Sequence, residues 1–142
     1  MDRSLALNPS FAFGWFSSGW LRLYAGQTDL AIKHFETSAR LNPGADAVSL
    51  HGIAQAHFFN RRFDDALEKL LMARHAIPIH ATTFRFLASC YAHMGRLDDA
   101  REVVERLRAI TSVVVPNATQ YRNPEHRALF LSGLRLAAGE AT

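Results

Sequence analysis

The chain has one cysteine, no long apolar run and no block of like charge. Cys90 is the single cysteine among 142 residues, which excludes an internal disulfide and a zinc site built from several cysteines. The purely apolar runs are only a few residues long, whereas a membrane-spanning helix needs roughly 18 to 20. The start, MDRSLALNPS, also lacks the basic and apolar regions of a signal peptide. These absences predict a cytoplasmic protein without a membrane segment.

The charge is modest and mixed. The formal net charge is +3, and the basic residues are spread among acidic ones, so the sequence shows no basic patch for nucleic acid. Apolar residues make up 49% of the chain and charged residues 20%, which is typical of a folded soluble protein. We therefore expect a folded chain that does not bind nucleic acid.

Motifs for catalysis and metal binding are also missing. There is no HExxH motif, no histidine pair at a four-residue spacing and no Gly-rich phosphate loop. The adjacent carboxylates Asp64-Asp65 and Asp98-Asp99 open predicted helices, where negative charge offsets the helix dipole. Cys90 lies within a predicted helix, as a small core or groove residue. The prediction is a protein that is not an enzyme, with no catalytic residue, cofactor or metal; a metal site assembled between repeats is the alternative.

What the chain does contain is a repeat. An amphipathic segment recurs as QTDLAIKHFETSARLNP, RRFDDALEKLLMARHAIP and RLDDAREVVERLRAI, starting at Gln27, Arg61 and Arg96. Its alanines, Ala31, Ala66 and Ala100, are spaced by 35 and 34 residues. A period near 34 is typical of tetratricopeptide (TPR) repeats. Each unit is expected to be a helix A, a turn, a helix B and a link that contains proline.

Other residues recur at equivalent positions in the three copies. Small residues allow helices A and B to approach closely at Gly19, Ala54 and Ala88. The A-to-B turns fall at Gly26, Arg61 and Gly95. Large core residues are expected at Phe35, Leu70 and Val104. The predicted helices are 10–25, 29–41, 46–60, 63–76, 81–94 and 97–110.

A seventh helix is predicted to begin near Pro124. Its apolar residues are expected to cover the open end of the third unit, as the terminal caps of solenoids do; they are Leu129, Phe130, Leu134 and Leu136. The predicted fold is all-α, a TPR-type α-solenoid of three helix-turn-helix repeats with a C-terminal capping helix. The predicted division is 1–9 (remnant of a preceding repeat), 10–43, 44–78 and 79–112 (three repeats), and 113–142 (linker and capping helix).

The segment from Ser4 to Ile110 resembles the TPR family. The residues that match the family pattern are Trp15, Gly19, Ala31, Phe35 and Pro43 in the first copy, Ala54, Phe63, Ala66, Ala73 and Pro78 in the second, and Phe84, Leu87, Ala88, Tyr91, Gly95 and Ala100 in the third. Arg22 and His57 depart from it where tyrosine is preferred, and Ser38 and Leu107 where alanine is preferred. The resemblance implies a module that binds a protein or peptide.

A narrower resemblance is to the C-terminal TPR region of bacterial proteins that carry a class III adenylate or guanylate cyclase domain, or a winged-helix DNA-binding domain, upstream. The strings that carry it are SGWLRLYAGQTDLAIKHFETSARLNP, AQAHFFNRRFDDAL and YRNPEHRALFLSGLRLAAG. In addition, SLALNP at 4–9 is similar to ARLNP at the end of a helix B. We expect a fragment of a larger bacterial signalling protein.

By the family resemblance, the partner-binding groove is formed by side chains that the A helices turn to the concave face. These are Phe13, Phe16, Trp20, Tyr24, His51, Gln55, Phe59, Arg85, Ser89 and His93. Relatives that grip a carboxylate use lysine, asparagine and arginine at such positions, whereas Phe16 and Trp20 stand here. An apolar helix or extended hydrophobic segment is therefore the favoured ligand. The alternative is that these aromatics pack against missing parts of the parent protein.

The sequence thus predicts a non-catalytic TPR module for protein–protein interaction. The partner is a separate protein or peptide, or an upstream domain of the same chain, and a homodimer is expected when that partner is absent. The alternative function is the C-terminal regulatory region of a nucleotide cyclase or of a winged-helix transcriptional regulator.

Overall fold

Seven helices make up the part of the chain that the structure describes. The computed structural model describes residues 12–42 and 46–140, and these contain no strand. The helices are α1 (Ala12–Tyr24), α2 (Thr28–Leu41), α3 (Asp46–Phe59), α4 (Phe63–Ala76), α5 (Ala81–His93), α6 (Leu97–Ile110) and α7 (Pro124–Ala137). None of the seven is long and apolar enough to cross a membrane. The all-α TPR-type fold is confirmed, and the predicted helix ends that fall in the described residues differ from the observed ones by at most one residue. The remnant predicted at 1–9 lies outside the described residues.

The first six helices pack as three successive pairs. Helix α1 packs on α2, α3 on α4 and α5 on α6, and each pair packs on the next through α2–α3 and α4–α5 contacts. Helices α1, α3 and α5 also contact each other in that order. These three are therefore the A helices, and they line one face of the array.

The three A-to-B turns share one backbone conformation. Gly26, Arg61 and Gly95 all have left-handed φ angles, of +89°, +61° and +79°. In each turn, the N–H of this residue bonds to the carbonyl three residues earlier, and the following N–H bonds to the carbonyl five residues earlier. This hydrogen-bond pattern is the Schellman motif, which ends helices with a left-handed residue. The repeat phase had placed Arg61 at a position where glycine fits best.

Replacing Arg61 by glycine is therefore expected to stabilise the protein. A non-glycine residue in the left-handed region is strained, and glycine should recover about 0.5–1 kcal/mol of the free energy of unfolding, measured with urea. The matched control is Gly95→Ala, because a Cβ there has no neighbour within 4 Å. That change should cost about 1 kcal/mol through backbone strain alone. An Arg61→Gly protein no more stable than the parent would show that the turn carries no strain.

Phe35 of α2 packs between helices α1 and α3. Its side chain is fully buried. A Cβ at Gly19 of α1 would lie 2.8 Å from the ring, and one at Gly52 of α3 would overlap it. The predicted close approach at Gly19 is thus explained by the Phe35 ring, and Gly52 makes a second close approach that the repeat phase had not indicated.

Helix α7 packs chiefly on α5 and contacts α6 only slightly. A Cβ at Gly133 would overlap the Ser89 hydroxyl of α5, so glycine is what permits this approach. Leu129, Phe130 and Leu134 are buried as expected, whereas Leu136 is 43% exposed. The prediction that Leu136 covers the third unit is wrong, because α7 meets α5 through Leu129, Phe130 and Gly133, and the Leu136 side chain is exposed.

Candidate functional site

The groove at the third repeat is filled by the chain itself. Residues 113–137, called here the C-terminal segment, lie against the groove side chains of α5. Three of these side chains hydrogen-bond to its main-chain carbonyl oxygens: Arg85 to Val113 (2.7 Å) and Val114 (3.2 Å), Ser89 to Phe130 (2.9 Å), and His93 Nε2 to Leu129 (2.6 Å). The positions predicted to bind a partner here therefore bind the protein's own backbone.

Tyr121 continues this contact into the first two repeats. Its side chain is 2% exposed, and its hydroxyl donates to Gln55 Oε1 at 2.6 Å. The ring centroid lies 5.5 Å from that of Tyr24 and 5.0 Å from that of Phe59. Next to it, the Arg122 N–H donates to the Tyr24 carbonyl at 2.9 Å. Burial raises the pKa of the Tyr121 hydroxyl, which keeps it protonated and able to donate.

The ten predicted groove residues therefore divide into two groups. Six of them contact the C-terminal segment: Tyr24, Gln55, Phe59, Arg85, Ser89 and His93. The other four are Phe13, Phe16, Trp20 and His51. A partner-binding role for any of the ten stays a prediction.

An open pocket of about 290 Å³ remains beside the C-terminal segment. We call it the groove pocket. Its lining residues are Phe16, Trp20, Tyr24, Val48, His51, Gln55, Ile77, His80, Thr82, Gln120 and Tyr121. It thus lies between α1, α3 and the start of α5, and the C-terminal segment supplies one side. None of these lining residues is aspartate, glutamate, lysine or arginine.

One wall of the groove pocket is a continuous aromatic row. Ring centroids are 6.3 Å apart for Phe16 and Trp20, 5.6 Å for Trp20 and Tyr24, and 5.5 Å for Tyr24 and Tyr121. Trp20 also meets Phe35 edge-on at 5.2 Å. Its ring therefore belongs to the core and to the pocket at once. Phe13, at 67% exposure, lies outside this lining.

A pair of histidines, His51 and His80, also lines the groove pocket. His51 is 5% exposed, its Nε2 lies 2.5 Å from Thr83 Oγ1, and its ring centroid lies 4.3 Å from that of His80. Burial, and then the nearby His80, lower the pKa of His51 to about 4, so His51 is neutral at pH 7. His80 and Thr83 were missed from the sequence because His80 precedes helix α5 and the contact crosses two repeats.

The chemically reactive side chains singled out in the sequence are not gathered into one cluster. Across 12–42 and 46–140, no group of three histidine, cysteine or acidic side chains could hold a metal ion. Burial raises the pKa of the Cys90 thiol to about 12, so its nucleophilic thiolate is scarce at neutral pH. Asp98 and Asp99 form surface ion pairs with Arg101 and Arg96.

Comparison with known proteins places the fold among TPR proteins. Residues 51–112 match the tetratricopeptide repeat family. The crystal structure of MamA is similar to this one with a TM-score of 0.72 and 19% sequence identity, over 97% of this chain and 82% of the MamA chain. No curated protein sequence matches the chain. The family match supports TPR repeats at 51–112, and the likeness to MamA shows the fold.

Proposed function

We propose that this chain is a non-catalytic protein–protein interaction module whose partner binds in the groove pocket. The observation that carries this proposal is the position of the pocket. It lies where the A helices of a helical repeat present side chains for binding, and it is the part of the predicted groove that the C-terminal segment leaves open. Aromatic side chains in a concave pocket are the usual anchors of protein interfaces.

The size of the groove pocket supports a peptide anchor as the ligand. Its volume of about 290 Å³ equals that of about ten water molecules at roughly 30 Å³ each. This volume accommodates one or two large side chains. The partner then contributes a short segment of its chain to the pocket, and the rest of its surface contacts the rim.

The identity of the partner and the setting of the chain are finer parts of this proposal. The strings quoted above support a bacterial signalling protein of the cytoplasm, in which the chain is the C-terminal regulatory region of a nucleotide cyclase or of a winged-helix regulator. In that case the partner is the upstream domain of the same protein. The full gene sequence upstream of this segment tests this setting. If it encodes neither a cyclase domain nor a winged-helix domain, the cyclase or regulator setting is excluded.

Site-specific photo-crosslinking tests the proposed binding site. A benzophenone amino acid at Val48, which is 41% exposed and lines the groove pocket, is expected to yield one discrete protein adduct in cells that encode the protein. The matched control is the same amino acid at Met72 of α4, which is 46% exposed and outside the pocket lining. Thr82→Arg should abolish the Val48 adduct, because the arginine fills the pocket.

Two results would contradict the proposed function. One is the absence of any crosslink from Val48, either to a second protein or within the full-length protein. The other is equal crosslinking at Val48 and Met72 that Thr82→Arg leaves unchanged.

A further inference from the structure

We infer that the groove pocket takes an uncharged stretch of the partner, which inserts one aromatic or aliphatic side chain between the Trp20–Tyr24 row and the His51–His80 pair. This inference rests on the proposed function, and it specifies the chemistry of the ligand. It also makes Tyr121, which the protein supplies itself, part of the binding surface.

The first argument is electrostatic. No acidic residue, lysine or arginine lines the groove pocket, and the buried His51 side chain is held neutral by its surroundings. A charged ligand side chain would lose its hydration on entry and gain no counter-ion, which is costly. A terminal carboxylate would likewise find no cationic side chain. An apolar side chain pays no such cost and gains from burial against the aromatic row.

The second argument is that the groove pocket continues an interface already present in the molecule. Tyr24, Gln55 and Tyr121 belong both to the contact between the C-terminal segment and the groove and to the pocket lining. In the occupied part, the groove receives the buried aromatic side chain of Tyr121, and Arg85, Ser89 and His93 bind main-chain carbonyls. The empty part also offers aromatic rings and polar groups, but it has no cationic side chain such as Arg85.

Thr82 and Gln120 provide those neutral polar groups at the pocket. A hydroxyl and an amide can bind the main chain of a peptide without selecting for charge. A peptide that enters the groove pocket therefore lies beside Tyr121, with its backbone near these groups and its large side chain on the aromatic row.

Blocked pentapeptides test the chemistry of the ligand directly. The probes are acetyl-Ala-Ala-Xaa-Ala-Ala-amide, with phenylalanine, leucine, alanine, glutamate or lysine at Xaa, titrated into the full chain and followed by NMR. The phenylalanine and leucine peptides should bind about tenfold or more tightly than the alanine peptide, because each buries a large apolar side chain. Their shifts should centre on the Trp20 indole and on Tyr121. The glutamate and lysine peptides should bind no better than the alanine peptide.

Charged substitutions at the edge of the groove pocket provide matched variants for the peptide titrations. Val48 is partly exposed, so the Val48→Glu and Val48→Lys proteins should fold. Both should bind the phenylalanine peptide more weakly than the unaltered protein does. Val48→Glu should bind the lysine peptide, and Val48→Lys should bind the glutamate peptide. Met72→Glu, a charge on a similarly exposed residue outside the pocket, should change no affinity.

The outcomes separate this inference from the proposed function. If a charged peptide binds the unaltered protein more tightly than the phenylalanine peptide, with shifts in the groove pocket, the pocket is a binding site but the inferred chemistry is wrong. If no peptide shifts pocket resonances at millimolar concentration, or if shifts spread evenly to α4 and α6, the inference is overturned. The Val48 crosslink then decides the proposed function independently.

Discussion

Removal of residues 124–142 should leave the rest of the chain unable to hold its fold. Helix α7 buries Leu129, Phe130 and Leu134, and each side chain of this size contributes about 1.5–3 kcal/mol when buried. The sum, roughly 5–9 kcal/mol, is comparable to the entire stability of a small domain, about 5–15 kcal/mol. Deletion also removes the cover of Phe86 of α5, whose ring stacks on that of Phe130 at a centroid distance of 4.3 Å. Circular dichroism should show a lost or much lower thermal transition, and size-exclusion chromatography should show aggregation.

A pair of point variants separates lost packing from lost chain length. Leu134 is fully buried and Leu136 is 43% exposed on the same helix. Leu134→Ala should cost about 2–5 kcal/mol, whereas Leu136→Ala should cost about 0.5 kcal/mol or less. A truncated protein that stays monodisperse with an unchanged melting temperature would show that α7 stabilises nothing.

Gly52→Ala should destabilise the protein by about 3 kcal/mol or more, at the upper end of overpacking effects. The new Cβ would overlap the Phe35 ring, and Gly19 on the other side leaves that ring no room to withdraw. Phe35 also meets Phe16 and Trp20 edge-on, so moving it would disturb the aromatic row of the groove pocket. Chemical unfolding gives the loss directly, and Gly95→Ala, whose Cβ meets nothing, shows the smaller cost of strain without overlap.

The double variant with Phe35→Leu tests the stated cause. Leucine is smaller than phenylalanine, so the cost of Gly52→Ala should shrink when Phe35 is already leucine. The two changes should therefore be non-additive, as expected for residues in direct contact. Additive costs would mean that the Phe35 ring is not what Gly52 must accommodate.

The parts of the fold that repeat were predictable from the sequence. A helix pair with a small residue facing a large one recurs at a fixed period. The helix and turn positions of one copy therefore predict those of the others. The left-handed backbone of Arg61 illustrates this, because its alignment with Gly26 and Gly95 gave the turn although arginine itself does not favour it. The groove positions of α1 came instead from the family resemblance, and their role in binding a partner stays a prediction.

The parts that do not repeat could not be predicted in the same way. The helical spacing of Leu129, Phe130 and Leu134 shows that α7 has an apolar face, but nothing in that spacing says whether the face meets the end of the array or the groove of α5. Gly133 was a usable signal, since a glycine within an apolar helix indicates a close approach. Tyr121 lies in an irregular segment without a counterpart in the repeats, so no alignment pointed to its contact with Gln55.

The hydrogen bond between the Arg122 N–H and the Tyr24 carbonyl joins the first helix pair to the segment that packs on the third. Arrays in which each unit touches only its neighbours are elastic, because small changes of angle between units add up along the array. Here the ends of the array are tied through Tyr121 and Arg122, so opening one junction must strain the others. We therefore expect the groove pocket to keep its width when empty, so that the proposed ligand would not spend binding energy on shaping it.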